Sequence, residues 1–242
     1  MFERGAAPTL VFDKERTSRF TYVCRACNRC CYHKAIQVGP HEVLRLARNR
    51  SISTTEFLRA YTETGGTILR VQPDGSCVFL TEKGCGVHPD RPLVCRLYPL
   101  GRQIDADGRE RFTDLPPDPE SAGVYGGGET VEDYLATQAV APYFAAGERY
   151  SALYRRMVAL FKSFTTGMGE EKGETRVEMT TAPNDLLSPL LDVDATVAAY
   201  CATRGLMVPE NPEAIIDLHI TAVEAWLNDL APPPAITHSQ DK

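Results

Sequence analysis

The sequence predicts an α+β protein, mainly helical, in two parts. A small cysteine-rich metal-binding domain of short helices and hairpins is expected over residues 1–115, followed by a helical domain over 116–242. Three observations predict this. Seven of the eight cysteines fall between Cys24 and Cys95, among Gly and Pro turn signals. The stretch LPPDPESAGVYGGGE then reads as a linker. Beyond it, apolar residues recur at helical spacing.

Taken in order, Gly39-Pro40 leads into HEVLRLARN, a short helix with proline near its first position and Val43, Leu44 and Ala47 on one side. Ser53 caps a second helix, with Glu56 placed as in a capping box and Phe57, Leu58 and Tyr61 on its apolar face. TILRVQPDGSCVFL reads as strand, Pro-Asp-Gly turn and short strand into Cys77, and EKG as another turn, so that Cys85 emerges from a tight loop. PDRPLVCRLYP holds only a turn or two of helix between its prolines. GRQIDADGRERF is a hairpin turning at Asp107-Gly108. After the linker, helical patterns run over about 130–143, 148–165, 192–204 and 212–230. The last is the clearest, with Asn211 as cap, Pro212 at its start and a stripe from Ile215 to Leu230 through His219 and Trp226. GMGEEKGETRVEM is expected as an exposed loop and APPPAITHSQDK as a frayed tail.

With 43% hydrophobic and 24% charged residues and a net charge of -6, the composition excludes disordered, collagenous and membrane classes. No apolar run approaches the roughly 20 residues that span a bilayer. The opening MFERGAAPTLVFDKER carries charges where a signal peptide needs an apolar stretch, so a cytoplasmic location is expected. In a reducing cytosol, clustered cysteines are metal ligands or redox groups before they are disulfides. Cys201, alone in VDATVAAYCATRG, reads as a small buried apolar residue.

The cluster itself has the spacing C-x-x-C-x-x-C-C over Cys24, Cys27, Cys30 and Cys31, joined by Cys77, Cys85 and Cys95. Thiolates are soft ligands for zinc, copper(I) and iron–sulfur clusters, and a C-x-x-C turn presents two sulfurs to one centre. Three thiols in this spacing with a remote fourth is also how bacterial ferredoxins hold a four-iron cluster. The adjacent pair discriminates. Neighbouring side chains diverge, so Cys30 and Cys31 together suit a cluster, two metals, or one ligand and one spare redox thiol. All seven are candidate ligands, and no catalytic acid–base pair stands out beside them.

The same residues resemble a known family. Cys24, Cys27, Cys30, Cys31, Cys77, Phe79, Leu80, Cys85, Val87, His88, Arg91, Pro92, Cys95, Arg96, Tyr98 and Pro99 match the motif of bacterial CxxCxxCC cysteine-cluster proteins, described as zinc- or iron-chelating. The resemblance covers about residues 22–100. A similar cluster in flagellin lysine N-methylases implies a link to methyl transfer. The helical half lies outside the resemblance.

Other signals are weaker. His88 sits where the family also takes tyrosine, so a hydrogen-bonding place beside the site is expected rather than ligation. His33 is expected to lie beside the ligands too, with His41 on the surface and His219 in the core. Arg25, Arg29, Lys34, Arg45, Arg48, Arg50 and Arg59 against Glu42 and Glu56 could suggest nucleic acid, yet they serve better to offset clustered thiolates, as do Arg91 and Arg96. GVYGGGETVEDY lacks the context of a nucleotide loop, and its Thr130 and Asp133 read as a capping box. A nucleophilic Cys31 with His33 has nothing to orient it. The sequence therefore points to an iron–sulfur cluster, of the 4Fe–4S type, or to zinc. The function expected is redox chemistry or protein modification, as an electron-transfer accessory or part of a modifying enzyme. The alternative is a structural-zinc interaction module. The expected partner is another protein, with neither nucleic acid nor membrane involved.

Overall fold

The computed structural model describes residues 10–63, 66–105, 107–166 and 189–230. Helices dominate: α1 (Pro40–Asn49), α2 (Thr54–Tyr61), α3 (Leu93–Leu97), α4 (Val131–Thr137), α5 (Ala141–Thr166), α6 (Val193–Arg204) and α7 (Pro212–Leu230). Among the described residues, three two-stranded antiparallel ribbons accompany them. They pair β1 (Tyr22–Val23) with β6 (Val124–Tyr125), β2 (Leu80–Thr81) with β3 (Gly84–Cys85), and β4 (Leu100–Ile104) with β5 (Glu110–Asp114). Among the described residues no helix is long and apolar enough to cross a membrane. The α+β, mainly helical class holds.

The local signals act as their chemistry requires. Ser53 accepts the Glu56 amide and Glu56 reaches back to the Ser53 amide, closing the capping box of α2. Thr130 and Asp133 do the same for α4. Asn211 accepts from the amides of Glu213 and Ala214 ahead of α7. Gly108, at φ +80°, lets the β4–β5 hairpin turn where an L side chain would be strained.

Three expectations need correction. The stretch read as a linker supplies β6, whose Val124 and Tyr125 pair with Val23 and Tyr22. The helix expected over 130–143 is broken after α4, where Ala139 takes φ +50°, and α5 begins at Ala141 and runs through the gap expected before residue 148. Residues 67–79 form isolated bridges instead of two regular strands: Val71 and Cys77 pair across the expected turn, but Ile68 and Leu69 bridge to Gln37 and Thr62. The loop expected at GMGEEKGETRVEM and the tail APPPAITHSQDK lie outside the described residues.

Among the described residues, the buried apolar side chains form three clusters. Val38, Val43, Leu46, Ala47, Phe57, Leu69, Phe79 and Val87 lie beneath the cysteine segment. Phe20, Leu97, Leu100 and Phe112 meet Val131, Tyr134, Leu135, Val140 and Phe144 from α4, α5 and the turn between them. A third joins Leu44 of α1 to Tyr150, Leu153 and Met157 of α5 and to the inner faces of α6 and α7. Helix α1 is thus buried on two sides. Asp192 reinforces this junction by accepting from the hydroxyls of Thr54 and Thr55 at 2.6 Å each, and Arg48 pairs with Asp194.

His219 is fully buried in the third cluster. Its Nε2 lies 2.9 Å from the Pro189 carbonyl, which can only accept, so Nε2 carries the proton and Nδ1 accepts from the Tyr150 hydroxyl at 2.8 Å. Burial pushes the imidazole down from 6.5 to about 4. The unfolded chain therefore takes up this proton first as pH falls, and stability fully present above about pH 6.5 is lost toward pH 4. The expected loss is on the order of 2–3 kcal/mol. Denaturant melts between pH 7 and pH 4.5 test it: His219→Gln should flatten the dependence. Because half-buried His41 is also pushed down to about 4, some slope should survive. An undiminished slope contradicts this role of His219.

Candidate metal centre

The first cysteine group is delivered by a strand and a tight turn. β1 leads into Cys24, and Ala26 and Asn28 then take left-handed backbone at φ +52° and +62°. Asparagine tolerates that conformation, whereas alanine pays roughly 1–2 kcal/mol for it. The chain reverses into a 3₁₀ turn, Arg29–Cys31, with the Cys31 amide donating to the Asn28 carbonyl.

The second group is pinned to this turn through the backbone. The Cys77 amide donates to the Cys31 carbonyl at 2.8 Å, and the His33 amide to the Gly75 carbonyl at 2.9 Å. The Gln72 side-chain amide donates to the carbonyls of Cys77 and Leu80, holding the turn out of which β2 pairs Leu80 with Cys85. Cys95 comes from α3. That helix is anchored by the Glu42 carboxylate, which accepts from the Leu93 amide at 2.8 Å and from the Gly39 amide at 2.6 Å. The Tyr134 hydroxyl donates to the Tyr98 carbonyl at the other end. Cys77 and Cys85 rest on the apolar cluster beneath.

Five thiols share one electrostatic neighbourhood. Cys30 is lowered to about 7, chiefly by the neighbouring Cys31 thiol, with Lys34 and Arg91 adding to it. The adjacent Cys30 and burial drive Cys31 far up, aided by the charges of Cys85 and Cys77. Burial raises Cys95 strongly, with Cys77, Cys30 and Cys85 adding to it. Cys77 is raised by burial and by Cys85 and Cys30. Without a cation these sulfurs cannot all be ionised together, since like charges oppose one another at short range. Cys24 is exposed and Cys27 half-buried at the outer edge. Cys27 is lowered by the amides of Arg29 and Ala122. Cys201 is buried in α6, within the third cluster.

Among the described residues, no three His, Cys, Asp or Glu side chains already converge in metal-holding geometry. The donor chemistry nevertheless fits a soft metal: several half-buried sulfurs from two chain segments, kept mostly protonated by burial and by one another, lose their protons when a cation binds. Cys30, Cys31, Cys77, Cys85 and Cys95 are the inner candidates. Cys24 and Cys27 complete the set from its rim.

The histidines lie beside this group. His33 is exposed and its imidazole covers Gly75, where any β-carbon would meet Cε1 at 2.3 Å. His88 is exposed and contacts Arg91. His41, expected on the surface, packs edge-on against Tyr143. The expected charge offset is narrower than the run of basic residues suggested. Arg45 pairs with Asp90 and Arg48 with Asp194, and Arg96 spends its guanidinium on the carbonyls of Arg91, Gln138 and Pro89. Lys34 and Arg91 are the cations that act on Cys30.

Sequence reasoning missed Gln72, Glu42, Ser121 and Ala122. The first two carry no spacing signal, and the last two lie in the stretch read as a linker. A cavity of about 380 Å³ opens beside the 3₁₀ turn, lined by Arg29, Tyr32, His33, Asp118, Pro119 and Glu120.

The adjacent pair should behave unequally. In the metal-free chain near pH 7.5, iodoacetamide should label Cys30 about tenfold faster than Cys31, because the thiolate is the nucleophile. Peptide mass spectrometry of timed samples measures both, and equal rates contradict the opposite shifts of the two thiols.

Comparison with known families matches residues 23–116 to CxxCxxCC, described as a "putative zinc- or iron-chelating domain". The match supports metal binding by this segment. No curated protein and no solved structure matches the chain. The segment that carries all seven clustered cysteines, residues 23–116, is the one that matches the CxxCxxCC family model.

Proposed function

We propose that the seven cysteines of this domain hold an iron–sulfur cluster, of the 4Fe–4S type, and that the protein serves redox chemistry or protein modification in the cytoplasm. The observation that carries this reading is that Cys30, Cys31, Cys77, Cys85 and Cys95 lie near enough to influence one another's ionisation, with Cys24 exposed and Cys27 half-buried beside them. That is enough for the four cysteine ligands of a 4Fe–4S cluster, with thiols to spare for redox chemistry. When bound, such a cluster supplies one-electron transfer. The chain's own residues position it. Glu42 fixes the helix bearing Cys95, Gln72 fixes the turn between Cys77 and Cys85, and Lys34 and Arg91 temper the negative charge at Cys30. The partner is another protein, a redox partner or a modified substrate, and methyl transfer is one modification that the resemblance suggests.

Zinc is the second reading, as a structural ion in a non-catalytic interaction module. One observation weighs against a purely structural ion. The cysteine segment already lies on an apolar cluster that includes the fully buried Phe57 and Leu46, so a metal is not needed to replace a missing core.

Anaerobic purification with iron, zinc and acid-labile sulfide analysis decides between them. The cluster reading predicts about four irons and four sulfides per chain. Zinc without sulfide overturns it in favour of the second reading. Cys201→Ala should leave the content unchanged. Because Cys77 and Cys95 are raised and must release protons on binding, apparent metal affinity should climb with pH, by more than about one log unit per pH unit between pH 7 and 8. A flat profile would show that these thiols are not ligands.

A further inference from the structure

The segment Asp118–Gly123 lies outside the family match, yet it touches the cysteine centre at several points. The Ala122 amide donates to the Cys27 sulfur at 3.4 Å, and the Ser121 hydroxyl lies 3.9 Å from the same atom. Glu120 pairs with Arg29, the residue that opens the 3₁₀ turn, at 2.8 Å. The Ser121 hydroxyl also meets the Tyr22 hydroxyl at 3.1 Å, and the Asp118 amide donates to the Tyr98 hydroxyl at 3.0 Å. At Gly123 the backbone passes so near Tyr22 that a β-carbon would lie 1.9 Å from its hydroxyl oxygen. Immediately afterwards β6 pairs with β1, the strand that leads into Cys24.

These contacts share one geometry. A short stretch of chain is tied at both ends, by Tyr98 and by the β1–β6 ribbon, and crosses over Cys27 with an N–H aimed at its sulfur. The Arg29–Glu120 pair is too exposed to contribute more than about 1 kcal/mol. Its effect is positional: it sets the strap against the turn and forms one wall of the 380 Å³ cavity.

We propose that Asp118–Gly123 is a built part of the metal centre, a strap whose Ala122 amide and Ser121 hydroxyl orient the Cys27 sulfur as a ligand and close that side of the centre. Ser121 and Ala122 are positioning residues, acting through Cys27. Donors to a ligand atom of this kind commonly change metal affinity by about 10- to 100-fold. The proposal rests on reading Cys27 as a ligand, and its test separates the two claims.

In the metal-free full chain, hydrogen exchange at the Ala122 amide reads the strap directly, and Cys27→Ala should speed it about tenfold. In the metal-loaded chain, competition with a chelator reads the effect on the centre. Ser121→Ala and Ala122→Pro should lower affinity for the bound metal within the 10- to 100-fold range, while Cys201→Ala should not. Ser121→Ala leaves the backbone intact and stands if the proline variant fails to fold. Ala122 exchange indifferent to Cys27→Ala overturns the proposal, as does wild-type affinity in both strap variants. If the wild-type chain binds no metal, the functional reading fails, and the exchange measurement alone decides the strap.

Discussion

The hydrogen bond from the Cys77 amide to the Cys31 carbonyl is the contact on which the centre depends. It closes a loop between two cysteine groups that the sequence keeps far apart, and it does so through backbone, so it does not depend on either cysteine's sulfur. The Tyr32↔Ser76 bridge and the His33–Gly75 bond extend it in register. Once this seam is formed, sulfurs that repel one another as thiolates are held together, and the chain must hold them protonated or supply a cation. The raised thiols of Cys31, Cys77 and Cys95, set against the lowered Cys30, are the electrostatic trace of that constraint.

The scaffold that bears this repulsion is organised around α1. Val43, Leu46 and Ala47 face the cluster beneath the cysteines, while Leu44 enters the cluster built by α5, α6 and α7. Glu42, on the same helix, accepts the amide that starts α3 and so places Cys95. Burial raises this carboxyl, and its two backbone donors oppose the rise. One short helix therefore couples the packing of the C-terminal helices to the position of a cysteine. Through β6 and the strap, the chain that follows the family segment also returns to the cysteine side.

Much of this was legible in the sequence where chemistry is local. Capping boxes at Ser53 and Thr130, the Asn211 cap, the turn at Gly108 and the cysteine spacing each act within a few residues, and each stands where the pattern placed it. What was not legible depends on distant partners. The Pro- and Gly-rich stretch after residue 115 has the composition of a linker, and only pairing with Tyr22 and Val23 makes part of it a strand. The basic run around Arg45 and Arg48 looked available to the thiolates because Asp90 and Asp194, which take these guanidiniums, lie far along the chain. The division of the cysteines into an inner five and an outer two also has no signature in their spacing. It follows from the fold, which half-buries Cys30, Cys31, Cys77 and Cys95 near enough to Cys85 and to one another to shift their ionisation, and leaves Cys24 exposed.

The central claim is that these sulfurs together form the coordination sphere of a metal cluster. X-ray absorption at the iron and zinc edges of anaerobically purified protein tests it most directly. The account predicts iron surrounded by sulfur alone at about 2.3 Å, with a short iron–iron scattering path from bridging sulfide. A shell dominated by nitrogen or oxygen, or the absence of any stoichiometric metal, would contradict it.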